Sequence, residues 1–141
     1  MSSGMKKWVG TGAVALLVVA CAAPQRPQID VNPFGVHVGA EHSGSGITLE
    51  REQKLVVRLA TITSQNREWA LVDFAPGVLT GSTAPVFERE SLASNFNDAS
   101  GVAVWHFKPA AAGTVTLKFD YRHPRTLDPA ARTVSYTVTV R

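Results

Sequence analysis

Cysteine is all but missing from this chain of 141 residues, which has one, Cys21. A single thiol excludes an intrachain disulfide and a cysteine-built metal cluster, so the fold must rest on its apolar core. Helical periodicity is missing as well. No window beyond the first twenty residues repeats apolar side chains at three- and four-residue spacing, which argues against a helical bundle. Catalytic signatures are equally scarce. There is no GxSxG elbow and no HExxH pair, and His37, His42, His106 and His123 are scattered along the chain. Asp98, Ser100 and His106 are near one another in sequence, but a triad is defined by spatial geometry and proximity does not make one. The sequence therefore predicts no enzyme, no bound metal and no cofactor.

A strong excess of one charge is absent from the bulk of the chain. Lys and Arg number 14 against 11 Asp and Glu, but Lys6 and Lys7 fall in an apolar leader. Beyond residue 20 the balance is 12 to 11, so nucleic acid is not an expected partner. The leader continues as "WVGTGAVALLVVACAAP", of signal-peptide length and too short and glycine-broken to span a membrane. "MKKW" from Met5 is a more usual start than Met1. Its end, "VVAC", resembles the lipobox of bacterial lipoproteins. That resemblance implies a diacylglycerol on the Cys21 sulfur and attachment to a lipid bilayer, with Ala22 in place of Asp pointing to the outer membrane. We expect residues 1–20 to be a signal peptide and 21–39, with Pro24, Pro27 and Pro33, to be an extended tether. The folded domain is expected over 40–141.

What that domain has in abundance is alternation. Ile47 and Leu49 precede a charged turn, "EREQK", and "LVVRLATI" (55–62) puts Leu55, Val57 and Leu59 on one face. "WALVDF" (69–74) and "GVAVWHFK" (101–108) follow, then "TVTLKFDY" (114–121) and "RTVSYTVTVR" (132–141). Residues 78–100 read as a long polar loop with one embedded strand around Val86 and Phe87. Trp69 and Trp105 are assigned to the core rather than to a sugar-stacking surface. The pattern predicts an all-β, two-sheet antiparallel sandwich or barrel of about seven strands, monomeric and stable without disulfides. Three polar connections stand out: "TSQNRE" (63–68), residues 88–101 and "RHPRTLDPAAR" (122–132). In a sandwich of suitable strand order they emerge at one end.

The spacing resembles that of the chagasin family of cysteine-peptidase inhibitors over roughly residues 40–141. "WHFKPAAAGTVTLKFDYRHP" is similar to the family's strand, small-residue turn, strand and proline-containing loop. The interval from Leu59 to Trp69 is similar to the family's first loop, and "SGSGITLEREQKLVVRLA" to its opening hairpin. The resemblance implies an immunoglobulin-like fold and three loops wedged into the cleft of a papain-like peptidase. Where the family has Asn-Pro-Thr-Thr-Gly, this chain has Ser64 and Asn66 at the Thr and Gly positions, with Gln65 between them and Arg67 and Glu68 after. Asn tolerates the left-handed backbone that a glycine there would favour. The glycine-rich middle loop corresponds to Asp98, Ala99, Ser100 and Gly101, and the third loop's Arg-Pro-Trp to His123, Pro124 and Arg125. These twelve positions are the expected partner-binding residues. The alternative reading is an immunoglobulin-like envelope lipoprotein that binds another protein without inhibiting a peptidase.

Overall fold

The computed structural model describes residues 25–62, 65–89 and 100–141, with isolated positions in the leader. Cys21, Ser64, Asp98 and Ala99 lie outside the described residues. Ten strands are present among those described: β1 (Asp30–Asn32), β2 (Gly35–Gly39), β3 (Gly46–Leu49), β4 (Lys54–Ile62), β5 (Glu68–Asp73), β6 (Leu79–Gly81), β7 (Val86–Arg89), β8 (Ser100–Pro109), β9 (Gly113–Arg122) and β10 (Arg132–Val140). One sheet runs β1-β2-β4-β8-β6, with β7 also paired to β8, and the other runs β3-β10-β9-β5. The alternation in the sequence explains the burial directly. Val134, Tyr136, Val138 and Val140 of β10 are buried, as are Val115, Leu117 and Phe119 of β9. Facing them are Leu55, Val57 and Leu59 of β4 and Ala103, Trp105 and Phe107 of β8. Aromatic rings lock the middle of the sandwich, with Trp105 edge-on to Phe119 at 4.8 Å between ring centres.

Three features depart from the sequence expectation. Residues 30–39 are not tether: β1 and β2 extend the first sheet, and Val36 and Val38 belong to the core. Their alternation is only five residues long and interrupted by glycines, which hid it among the prolines. Gly35 is needed there, because a Cβ would lie 2.8 Å from the Lys54 carbonyl oxygen. Second, β3 and β4 do not form a hairpin. β3 pairs in parallel with β10 and β4 in parallel with β2, so the turn at 50–53 carries the chain from one sheet to the other. Third, the described part of the stretch 78–100, residues 78–89, contributes two strands, not one. β6 and β7 both pair with the same edge of β8, and Leu79 is fully buried.

Tyr136 joins the N-terminal segment to the sandwich. Its hydroxyl donates to the Gly39 carbonyl at 2.7 Å. Burial, with the Glu41 carboxylate nearby adding to it, pushes the Tyr136 phenol well above its ordinary range. His42 is buried too. Its Nδ1 accepts from the Gly39 N–H at 2.9 Å, and its Nε2 faces the Gln28 carbonyl at 3.0 Å. The neutral Nε2–H tautomer satisfies both contacts, so this histidine serves as a strut that fixes residue 28 to the sandwich.

Candidate functional site

Register fixes which connections share a pole. In the first sheet Ile62, ending β4, lies opposite Ser100, starting β8. In the second, Glu68, starting β5, lies opposite Arg122, ending β9. The connections entered through these four residues therefore leave from the same end of the sandwich, here called the tip. Two side chains tie the sheets together beneath it. The Trp69 indole on β5 donates to the Ala60 carbonyl on β4 at 2.9 Å. The Tyr121 hydroxyl on β9 accepts from the Ile62 N–H at 3.4 Å and donates to the Ile62 carbonyl at 3.3 Å. The two rings also pack on each other, with centres 5.0 Å apart.

Above these clamps lies a cleft of about 710 Å³. Its floor and walls are Thr61, Trp69, Ala103, Pro85 and Phe87, and its rim is Asn66, Arg67, Glu68, His123, Pro124 and Arg125. Residues distant in the sequence thus share one concave surface, apolar below and charged above. Six of the twelve residues expected from the sequence line it. Gln65 is exposed in the same turn as Asn66. Ser100 and Gly101 begin β8 at this pole rather than lying in a loop.

Local chemistry shapes each part of the rim. Asn66 has a φ of 50°, the left-handed conformation that lets the chain turn back within a short connection. Arg67 and Arg125 are exposed, so their guanidinium groups are available at the mouth. The 123–131 connection is organised by its own hydrogen bonds. The Arg125 N–H donates to His123 Nδ1 at 3.2 Å, the Thr126 hydroxyl to Asp128 at 2.8 Å, and the Ala131 N–H to the Tyr121 carbonyl at 2.8 Å. Gly101 is buried, not exposed to a partner. A Cβ there would collide with the Phe87 ring and come within 2.7 Å of the Glu88 carbonyl oxygen. Glycine is required for β7 to lie against β8 and for Phe87 to reach the cleft. The Arg58–Glu88 ion pair, 2.7 Å across the outer face, fastens the same strand.

Sequence reasoning overlooked Phe87, Pro85, Thr61 and Ala103 as site residues. Val86 and Phe87 were visible as an apolar piece, but only the register of β7 on β8 places Phe87 opposite Ala103. Among the described residues no group of three or more His, Cys, Asp or Glu side chains is arranged to hold a metal ion.

Residues 48–140 match the family model described as chagasin family peptidase inhibitor I42. The chain belongs to the chagasin family. Solved structures share the chagasin-family fold at low identity. The cysteine protease inhibitor EhICP2 from Entamoeba histolytica superposes with a TM-score of 0.66 at 18% identity, covering 74% of this chain and 94% of its own. Amebosin gives 0.64 at 16%, covering 78% of this chain and 100% of its own. PbICP-C, solved in complex with falcipain-2, gives 0.56 at 12%, covering 77% and 99%. A search of curated proteins gives no match. Family members are peptidase inhibitors, not enzymes.

Proposed function

We propose that this chain inhibits papain-like cysteine peptidases by seating its tip over the peptidase cleft, while acylated Cys21 holds it on the outer membrane of a bacterial envelope. The observation that carries the reading is the shared cleft. Asn66, Arg67 and Glu68 from one connection meet His123, Pro124 and Arg125 from another, and β8 enters beside them. The Trp69 and Tyr121 bonds hold the strand ends from which these connections leave, and Pro124 stiffens one connection, which lowers the conformational entropy lost on binding. Inhibition would be competitive occlusion with no covalent step and no cofactor.

The test is a titration of papain-like peptidases with the chain beginning at Cys21, followed with a small fluorogenic substrate. The expected result is reversible, competitive loss of activity at or below micromolar protein. Full activity at that concentration would overturn the reading. One observation favours a second: Arg67 and Arg125 put charge where the resemblance leads one to expect small or apolar groups, and charge is costly to desolvate in a narrow groove. If so, the tip binds an envelope protein without inhibition. Capture of a membrane partner that depends on the tip residues, with peptidases unaffected, would decide for it.

A further inference from the structure

Among the described residues that line the tip cleft, Phe87 is the one large apolar side chain left exposed, at 43%. Trp69, Thr61 and Ala103 beneath it are buried. Strand pairing sets the direction of the ring. Phe87 stands opposite Ala103, a core residue, while Val86 stands opposite Val104 on the other face of the sheet. The Phe87 ring therefore turns to the core side of β7, yet at the cleft it keeps contact with water. Separate ties hold the segment in this position. β7 pairs with β8 over residues 86–89, and the Arg58–Glu88 ion pair fastens the neighbouring residue. Gly101 leaves room for the ring against β8. The Trp105 indole donates from the core to the Thr83 carbonyl at 3.2 Å, which holds the approach to β7. A ring so fixed and so exposed is ordered before association, and its remaining apolar area is free to be buried by a partner.

We infer that Phe87 is the apolar anchor of the partner contact. The group it meets is an apolar side chain at the rim of the peptidase's substrate cleft, with a carboxylate beside it. The inference rests on the inhibitor reading and names the contact within it. Pro85 and Pro124 lie on the same surface and widen the apolar patch around the ring. The carboxylate follows from the charge at the mouth. Two exposed guanidinium groups, Arg67 and Arg125, stand there against the single carboxylate of Glu68 among the described lining residues. A guanidinium brought into a contact loses water and needs an acceptor, and a carboxylate matches its paired N–H groups. Arginines flanking an aromatic centre therefore favour a partner that is acidic beside an apolar spot.

The test uses the chain beginning at Cys21 and a papain-like peptidase that this parent chain inhibits. Phe87→Ala is expected to weaken inhibition about thirtyfold or more, as for a central aromatic contact, and Phe87→Tyr by less than about threefold. Val86→Ala changes a more exposed side chain on the opposite face of the same strand and is expected to leave inhibition unchanged. Thermal unfolding shows which variants are folded at the assay temperature. Phe87→Leu keeps an apolar side chain on β7 and serves where Phe87→Ala does not fold, with an expected loss of about fivefold. Arg67→Gln combined with Arg125→Gln is expected to abolish the fall in association rate between low and high salt. A parent rate that does not change with salt overturns the carboxylate. A folded Phe87→Ala or Phe87→Leu as potent as the parent overturns the anchor and leaves the inhibitor reading standing. A parent that inhibits no papain-like peptidase overturns both.

Discussion

The Trp69 indole reaches from one sheet to the other and donates to the Ala60 carbonyl at 2.9 Å, directly beneath the tip cleft. That bond satisfies a carbonyl near the end of β4 and fixes the spacing between the sheets where the connections depart. Trp69→Phe keeps the ring but removes the donor. We expect a stability loss of about 1–2 kcal/mol in urea unfolding. We also expect weaker peptidase inhibition, since the rim residues lose their common base. A stability loss with inhibition constant would show that the clamp does not position the rim.

Tyr136 links stability to pH. Its phenol is held above its ordinary value of about 10 in the folded chain, so the folded state retains a proton that the unfolded state releases. The contribution is fully present below pH 10 and declines as pH rises beyond it, by about 1.4 kcal/mol per pH unit. Tyr136→Phe removes that decline, at the cost of about 1–3 kcal/mol at neutral pH because the buried Gly39 carbonyl loses its donor. Denaturant midpoints at pH 7 and pH 11 for both proteins check the two effects.

Gly101→Ala is expected to destabilise by about 1–3 kcal/mol, through overpacking against the Phe87 ring and the Glu88 carbonyl. Gly101→Ala combined with Phe87→Ala recovers only part of the loss, because the backbone clash remains. Equal stability of Gly101→Ala and the parent, read by thermal unfolding, would show that β7 does not pack on β8 as described.

Asn66 sits at a φ of 50°, which glycine adopts freely and β-branched residues resist. Asn66→Gly should leave inhibition and stability nearly unchanged. Asn66→Val should cost about 1–2 kcal/mol and distort the first rim segment. Paired inhibition and unfolding curves test the contrast.

Arg125 occupies the rim position that the family resemblance assigns to an aromatic anchor. Arg125→Trp adds apolar area without a charge to desolvate, and is expected to tighten peptidase inhibition about tenfold. Arg125→Glu is expected to slow association with a peptidase of acidic rim and to reverse its salt dependence. Association rates at two ionic strengths separate these effects.

Much of this protein was legible before any coordinates. Alternation in β4, β8, β9 and β10 assigned thirteen of the nineteen residues of the core cluster, because period-two burial is written directly into side-chain order. The proline in the third connection and the tolerance of Asn66 for a left-handed turn were equally plain. The rest depended on pairing. A strand's pattern says which face is buried but not which strand lies at its edge, since backbone hydrogen bonds are the same for every residue. So β3 and β4, adjacent in the chain, separate into different sheets, and β1 and β2 join the sandwich from what reads as tether. Register on β8 alone brings Phe87 opposite Ala103. The sequence by itself determined an all-β core and three polar connections, while the tertiary structure decided that Phe87 and Trp69 would floor a single cleft between them.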